Sequence, residues 1–417
     1  SRRKKGGVGD GLFLMPGFNR AKGLEPMLPM YHQGILSGGP AGRETAATGL
    51  GELVEMVESK YLAAGLVVKM VGPLIRVVND RNPSNVKCSI LKTLHTIMKK
   101  AGMALRAFTP QLQTTFLKSL SDTSRSVRVS AIAALGDLMA LATRVDPLIS
   151  ELTNTSLSSD SANAVKTACL EALALVVDRG GKKSKKPEVL DAAFAASKEL
   201  VDAADEGVRL SAGRVIGACV KLKGQEVGVE ILSGNSDSVG RCIAIKSVCE
   251  NLDLDELGDD MLDRLAQECM DAAQNSSGKA ETRCGGYLAI GALCGGGSLK
   301  TFTPAILGGL GGGEGMDEIN KAALLGCKKA ALREDGIFLE GPDGIKILTA
   351  ALTLSRQGNS QVQYAANKML YVALGVGSGL KGVESYSKAA GGDNARSCRD
   401  IATKVIAKLS VEVILED

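Results

Sequence analysis

The stretch from Leu105 to Leu138, LRAFTPQLQTTFLKSLSDTSRSVRVSAIAALGDL, encodes two amphipathic helices joined by a tight turn. Thr109 stands where an N-cap belongs, and Pro110 is the first helical residue, where a missing N–H costs nothing. Leu112, Phe116, Leu117 and Leu120 recur at helical spacing and give the first helix one apolar face. Ser121, Asp122, Thr123 and Ser124 then break the pattern with short side chains that bond their own backbone. A second helix follows, with Val127, Ala131, Ala134, Leu135 and Leu138 on its inner face. Ala131, Ala133, Ala134 and Gly136 let a neighbouring helix come close. A hairpin this small leaves apolar stripes uncovered, so it needs copies of itself on either side.

The copies are present. Val86 to Leu94 (VKCSILKTL), Val165 to Leu173 (VKTACLEAL) and Val208 to Ile216 (VRLSAGRVI) repeat the start of the second helix, and Arg43 to Leu53 fits the same frame. Weaker copies begin near Arg283, Lys321, Val362 and Arg396. The anchors recur at roughly 40 residues, the period of HEAT and armadillo units. A basic second residue, small residues mid-helix and Asp or Ser in the turn favour the two-helix HEAT unit. The expectation is therefore an all-α HEAT-repeat α-solenoid, an armadillo-like superhelix. Residues 1–23 read as a linker or the end of a preceding repeat, 24–277 as regular repeats, and 278–417 as less regular, glycine-rich repeats with C-terminal helices. The chain lacks an initiator Met, so a fragment of something longer is expected.

Hydrophobic residues at 45% suffice for a core, and aromatics at 3% with no Trp mean that Leu, Val, Ile and Ala build it. A net charge of +4 is small for this length, so the chain as a whole is not an electrostatic glove for nucleic acid. The ten cysteines, Cys88, Cys169, Cys219, Cys242, Cys249 and Cys327 among them, are scattered without zinc-finger spacing and read as buried, reduced thiols of a cytosolic protein. No apolar run reaches the roughly 18–20 residues of a membrane span, so no membrane is expected as a partner.

Along the chain, Leu24 to Leu36 reads as a first helix with Pro26 and Pro29 at its start. Pro73, Asp146-Pro147 and Thr303-Pro304 read as further helix starts. Arg179 to Pro187 (RGGKKSKKP) reads as an inter-helix loop, and its Lys182, Lys183, Lys185 and Lys186 leave two readings open: a solvated loop, or weak contact with RNA or another polyanion. The acidic run Asp253 to Asp260 lacks calcium-loop spacing and reads as a solvated turn. From about Gly278 glycine becomes frequent, at about 1 kcal/mol per helical position relative to Ala, so longer loops are expected there. Gln361 to Val372 and Asn394 to Leu409 read as late helices.

Nothing in the chain has the residue pattern of an active site. His32 and His95 are far apart, and His95 falls among Leu91, Leu94, Ile97 and Met98 on a helix. No nucleophile elbow, zinc-protease helix, kinase loop set or dinucleotide fingerprint occurs. The chain is read as a non-enzyme without a cofactor or metal.

Gly72 to Arg81 (GPLIRVVNDR), Met103 to Asp122 (MALRAFTPQLQTTFLKSLSD) and Thr143 to Leu148 (TRVDPL) resemble the general-control translational activator family. So do Leu14 to Phe18 (LMPGF) and Leu28 to Gly38 (LPMYHQGILSG). The resemblance is dense from about residue 12 to 230 and thin afterwards. It implies a cytoplasmic, ribosome-associated HEAT scaffold that activates the amino-acid-starvation kinase of translation initiation factor two. It places this chain in the C-terminal part, which grips the kinase's RWD domain through basic residues, while the ribosome is held by parts outside this chain. Arg43, Arg76, Arg81, Arg106 and Arg128 are the candidates for that contact. Arg128 also sits where HEAT units place an arginine that bonds turn residues of adjacent repeats, and Arg76 and Arg81, bracketing a turn, are expected to be exposed. A generic HEAT adaptor for transport or phosphatase assembly, and an RNA- or ribosome-binding solenoid, are the alternatives.

Overall fold

The computed structural model describes residues 17–20, 22–78, 81–234, 238–276, 278–293, 299–311, 316–333 and 342–375. The basic start, most of the LMPGF segment, the glycine run at 295–297, the helix expected at 394–409 and the end of the chain lie outside the described residues. Contacts divide the chain into two compact units, Ser1–Ala196 and Ser197–Asp417. The division falls inside the stretch read as regular repeats.

Unit 1 holds four helix hairpins: α1 (Leu28–Ser37) with α2 (Pro40–Glu55), α3 (Ala64–Val77) with α4 (Ser84–Ala101), α5 (Thr109–Ser119) with α6 (Arg125–Leu138), and α7 (Asp146–Leu157) with α8 (Asn163–Gly180). α9 (Pro187–Leu200) carries the division. Unit 2 holds α10 (Glu206–Lys223), α11 (Gln225–Ser233), α12 (Arg241–Cys249), α13 (Asp259–Gln274), α14 (Ala280–Leu293), α15 (Leu299–Gly309), α16 (Asp317–Arg333), α17 (Pro342–Gln357) and α18 (Ser360–Gly375). Among the described residues there is no strand. In both units each even-numbered helix packs on the next, α2 on α4 on α6 on α8, and α10 on α12 on α14 on α16 on α18. The odd-numbered helices touch one another far less. Each unit is thus a HEAT-type stack with its even helices on the inside of the curve.

The core is the aliphatic one that the composition requires. Leu112, Phe116 and Leu120 from α5 and its turn, and Val127, Ala131, Ala134, Leu135 and Leu138 from α6, are all fully buried. Each large aliphatic or aromatic side chain so buried contributes about 1.5–3 kcal/mol. The basic residues at the start of the even helices satisfy carbonyls that the preceding odd helix and turn leave open. Arg128 donates through Nη1 to the Asp122 and Thr123 carbonyls at 2.8 and 2.9 Å. Arg209 donates to Ala203 and Ala204 at 2.8 and 2.7 Å. Arg128 therefore braces the turn of its own repeat, not that of a neighbour. Between repeats the even helices reach a neighbouring even helix or the turn before it: Lys87 to Asp122 at 2.7 Å, Thr93 to the Ala47 carbonyl at 2.7 Å, and Arg43 to Asn82 at 2.8 Å.

Five local expectations are corrected. Thr109 is the first helical residue and not the cap, because α5 runs straight on from a 3-10 helix at Gly102–Phe108 and Phe108 already has helical backbone angles. Asp146 likewise opens α7 from inside, and its carboxylate bonds Ser184 Oγ and the Lys185 N–H of the following turn. Pro73 and Pro304 lie inside α3 and α15. The apolar stripe Leu66, Val67, Met70, Val71, Leu74 carries α3 through its proline. Arg179 and Gly180 close α8 and do not belong to the loop that follows. The acidic run at 253–260 is also anchored, since Leu254 and Leu257 are buried.

In unit 2, α12 is enclosed nearly all round: of its residues only Lys246 is not buried. A helix without a polar face is an enclosed one. Two ion pairs cross this inner side: Lys321 of α16 reaches Glu206 of α10 at 3.1 Å, and Lys329 of α16 reaches Glu250 at 3.5 Å. Glu250 is more acidic than an ordinary glutamate: burial raises its pKa, but Lys246 and Lys329 together outweigh that. At Gly291 and Gly326 glycine serves close helix crossing. A Cβ on Gly291 would lie 2.3 Å from the Gly326 carbonyl oxygen, and one on Gly326 would lie 2.2 Å from that of Tyr287, so α14 and α16 meet backbone to backbone.

Candidate functional site

Because successive helices of unit 1 run antiparallel, its odd-to-even turns share one edge and its even-to-odd turns share the other. Arg43, Arg76, Arg81 and Arg128 fall on the odd-to-even edge, whereas Arg106 and the lysines at 182–186 fall on the opposite one. Arg43 and Arg128 are half-buried and committed to bonds within the fold, Arg43 to Asn82 Oδ1 and the Leu36 carbonyl. Arg76, in the last turn of α3, and Arg81, in the turn before α4, are both exposed. Arg76 makes no hydrogen bond or ion pair among the described residues.

Two further cations on this edge, Lys118 and Arg125, were not singled out by sequence reasoning. Both are exposed and neither has a partner among the described residues. They flank a feature that only the fold creates, a cleft of about 1110 Å³ between α3, α5 and the turn before α6. Ile75 and Val78 give it an apolar wall, and Thr114, Thr115, Ser119 and Thr123 a hydroxyl-rich one. Thr114, Thr115 and Ser119 donate their protons back to the carbonyls of Pro110, Gln111 and Thr115. Their oxygens are left as acceptors. Lys87 and Asp122 also line the cleft, and their ion pair neutralises both. Although burial raises the Asp122 pKa, Lys87 and the Ser124 N–H pull it below the usual carboxylate range. The charge left over at the rim is positive.

The even helices carry a second polar cluster. Asp137 of α6 accepts from His95 Nε2 at 2.6 Å and lies 3.3 Å from Lys99, both on α4, and pairs with Arg179 of α8. Burial opposes its ionisation, but His95, Arg179 and Lys99 together hold its carboxyl below the usual range. One acid thus ties three repeats. Asp137→Ala leaves three cationic or polar groups without their acceptor, and is expected to cost about 2–3 kcal/mol in thermal or urea unfolding. The sign of the pH dependence follows from the depressed values of Asp122 and Asp137. Their stabilisation is complete above the ordinary carboxylate range near 4 and is lost as pH falls through the lower folded values. The unmodified chain is expected to lose stability over that acid range, and Asp137→Ala to lose less of it.

Lys183 is also engaged, donating to the Met139, Ala140 and Ala142 carbonyls, as Lys100 does to Glu55 and Val57 one hairpin pair earlier. Lys182, Lys185 and Lys186 are exposed. Among the described residues no three His, Cys, Asp or Glu side chains gather in a way that would hold a metal ion. Burial pushes the Cys169 and Cys284 thiols up to about 11, where they are poor nucleophiles. No described helix is long and apolar enough to cross a membrane.

No family model matches the chain. Over 216 residues, 52% of its length, the chain is 43% identical to Protein ILITYHIA of Arabidopsis thaliana. It is 41% identical over 170 residues to the human stalled ribosome sensor GCN1, and 35% identical over 219 residues to the eIF-2-alpha kinase activator GCN1 of Saccharomyces cerevisiae. The chain is thus homologous to GCN1 proteins over about half of its length, and spans only 8%, 6% and 8% of these three relatives. Among solved structures it is similar to importin beta (14% identity, TM-score 0.47, covering 93% of this chain and 54% of that one) and to Kap121p bound to Ste12p (15% identity, TM-score 0.43, covering 94% and 43%).

Proposed function

We propose that this chain, as a homologue of GCN1 activators of the eIF-2-alpha kinase, is a segment that docks that kinase through its RWD domain while the larger protein is associated with the ribosome in the cytoplasm. The observation that carries the reading is the odd-to-even edge of unit 1, where Arg76, Lys118 and Arg125 stand exposed beside a cleft whose own charges are cancelled. Such a rim attracts an acidic patch on a small folded domain, speeds encounter and fixes orientation, while the apolar wall at Ile75 and Val78 supplies contact area. The segment works as a scaffold and performs no chemistry itself.

The test is a pull-down with purified RWD domain, comparing the unmodified chain with Arg76→Glu/Arg81→Glu. Both residues are exposed, so the double variant is expected to keep its helical content and lose most of its binding, by about tenfold or more at low salt. Undiminished binding by the double variant would move the docking surface elsewhere.

A further inference from the structure

The even-to-odd edge of unit 1 has a charge pattern that kinase docking does not use. Arg106 follows α4, Arg144 follows α6, and Lys182, Lys185 and Lys186 follow α8. All five are exposed, and none of their side chains has a hydrogen bond or ion pair among the described residues. The turns that carry the last two groups are neighbours in space, because Lys183 bonds the carbonyls of residues 139, 140 and 142 and Asp146 bonds Ser184. With about 8–10 Å between packed helices, successive turns set these cations in a row.

Several negative groups on the same edge are engaged, while the carboxylates of Glu55 and Glu188 stand exposed without a partner among the described residues. Asp146 is occupied by Ser184 and the Lys185 N–H, Asp137 by His95, Lys99 and Arg179, and Glu58 by Lys60 at 2.6 Å. Helix C-termini carry partial negative charge that would repel an anion. Here Lys100 and Lys183 cover carbonyls at the ends of α2 and α6. What reaches solvent is a line of five free cations that outnumbers the free carboxylates of Glu55 and Glu188. The aromatic residues of this edge, Tyr61 and Phe108, are half-buried, so it offers no open platform for stacking unpaired bases.

We infer that the even-to-odd edge of unit 1 binds the phosphate backbone of duplex RNA, with Arg106, Arg144, Lys182, Lys185 and Lys186 as its contacts. A row of cations without base-reading groups suits a regular polyanion recognised by shape and charge, not by sequence. The inference stands on the charges of this edge and is independent of the kinase-docking reading, which uses the opposite one.

The experiment measures binding of the whole chain to a short mixed-sequence RNA duplex as a function of salt. For about five phosphate contacts, affinity is expected to fall about 10²–10³-fold between about 50 and about 200 mM salt. Arg144→Glu with Lys182→Glu, Lys185→Glu and Lys186→Glu is expected to lose at least about 30-fold at the lower salt, and the Gln versions less, with unchanged circular dichroism. Arg76→Glu/Arg81→Glu is expected to bind RNA with nearly the unmodified affinity. No binding by the unmodified chain at low salt would overturn the inference. So would equal losses from the two edges, or a preference for phosphatidylserine vesicles over the duplex.

Discussion

Replacing Gly326 with valine is expected to destabilise unit 2 by about 3–5 kcal/mol, a drop in melting temperature on the order of 10 °C. The reason is geometric. The new Cβ would stand 2.2 Å from the Tyr287 carbonyl oxygen and on its other side Gly291 already touches the Gly326 backbone. No side chain can rotate away, so α14 and α16 must separate along the contact that holds the inner layer of unit 2 together. Gly308→Ala provides the opposite sign. That glycine lies in α15 with nothing within 4 Å of its Cβ position, so alanine is expected to be neutral or to stabilise by up to about 1 kcal/mol. Thermal unfolding of the two variants checks both. Equal effects would mean that glycine acts here through helix propensity and not through close approach.

Loss of Arg241 is the second large effect. Its side chain is 8% exposed and bonds Glu268 twice, at 2.8 and 3.3 Å, and the Ile231 and Leu232 carbonyls at 2.8 and 3.0 Å. It therefore closes the end of α11 and ties α12 to α13 at once. Arg241→Met leaves the half-buried Glu268 carboxylate without its partner and takes one donor from each of the Ile231 and Leu232 carbonyls, at an expected cost of about 3–5 kcal/mol. Arg241→Met/Glu268→Leu removes both charges together and is expected to recover much of that loss in urea unfolding. A double variant as unstable as the single one would show that the carbonyl bonds, not the ion pair, carry the effect.

The repeat period made the fold legible because each hairpin must cover its neighbour's apolar stripe, and that demand writes the same spacing into every copy. Helix starts were less legible. Thr109 and Asp146 have the chemistry of caps, yet Phe108 and Val145 before them already have helical angles, and Asp146 turns its carboxylate to the next repeat. Pro73 and Pro304 misled for the same reason, since packing of their helices overrides the local preference. Glycine was read as a helix weakener, while at 291 and 326 it permits backbone contact that no single-residue propensity records. Of the candidate arginines, the repeat frame marked Arg128 as structural and Arg76 as exposed, whereas charge and spacing alone could not show that the fold also consumes Arg43. Lys118 and Arg125 gained meaning only when folding placed them beside the cleft. The links that would have flagged them, α3 against α5 and Lys87 against Asp122, join residues far apart in the chain.

The most direct test of kinase docking is amide hydrogen exchange of the whole chain with and without the RWD domain. Added protection is expected at the C-terminal turn of α3, in α5 and in the 120–125 turn, with the even-to-odd turns unchanged. Protection confined to unit 2, or to the turns at 102–108 and 181–186, would contradict the proposed docking edge.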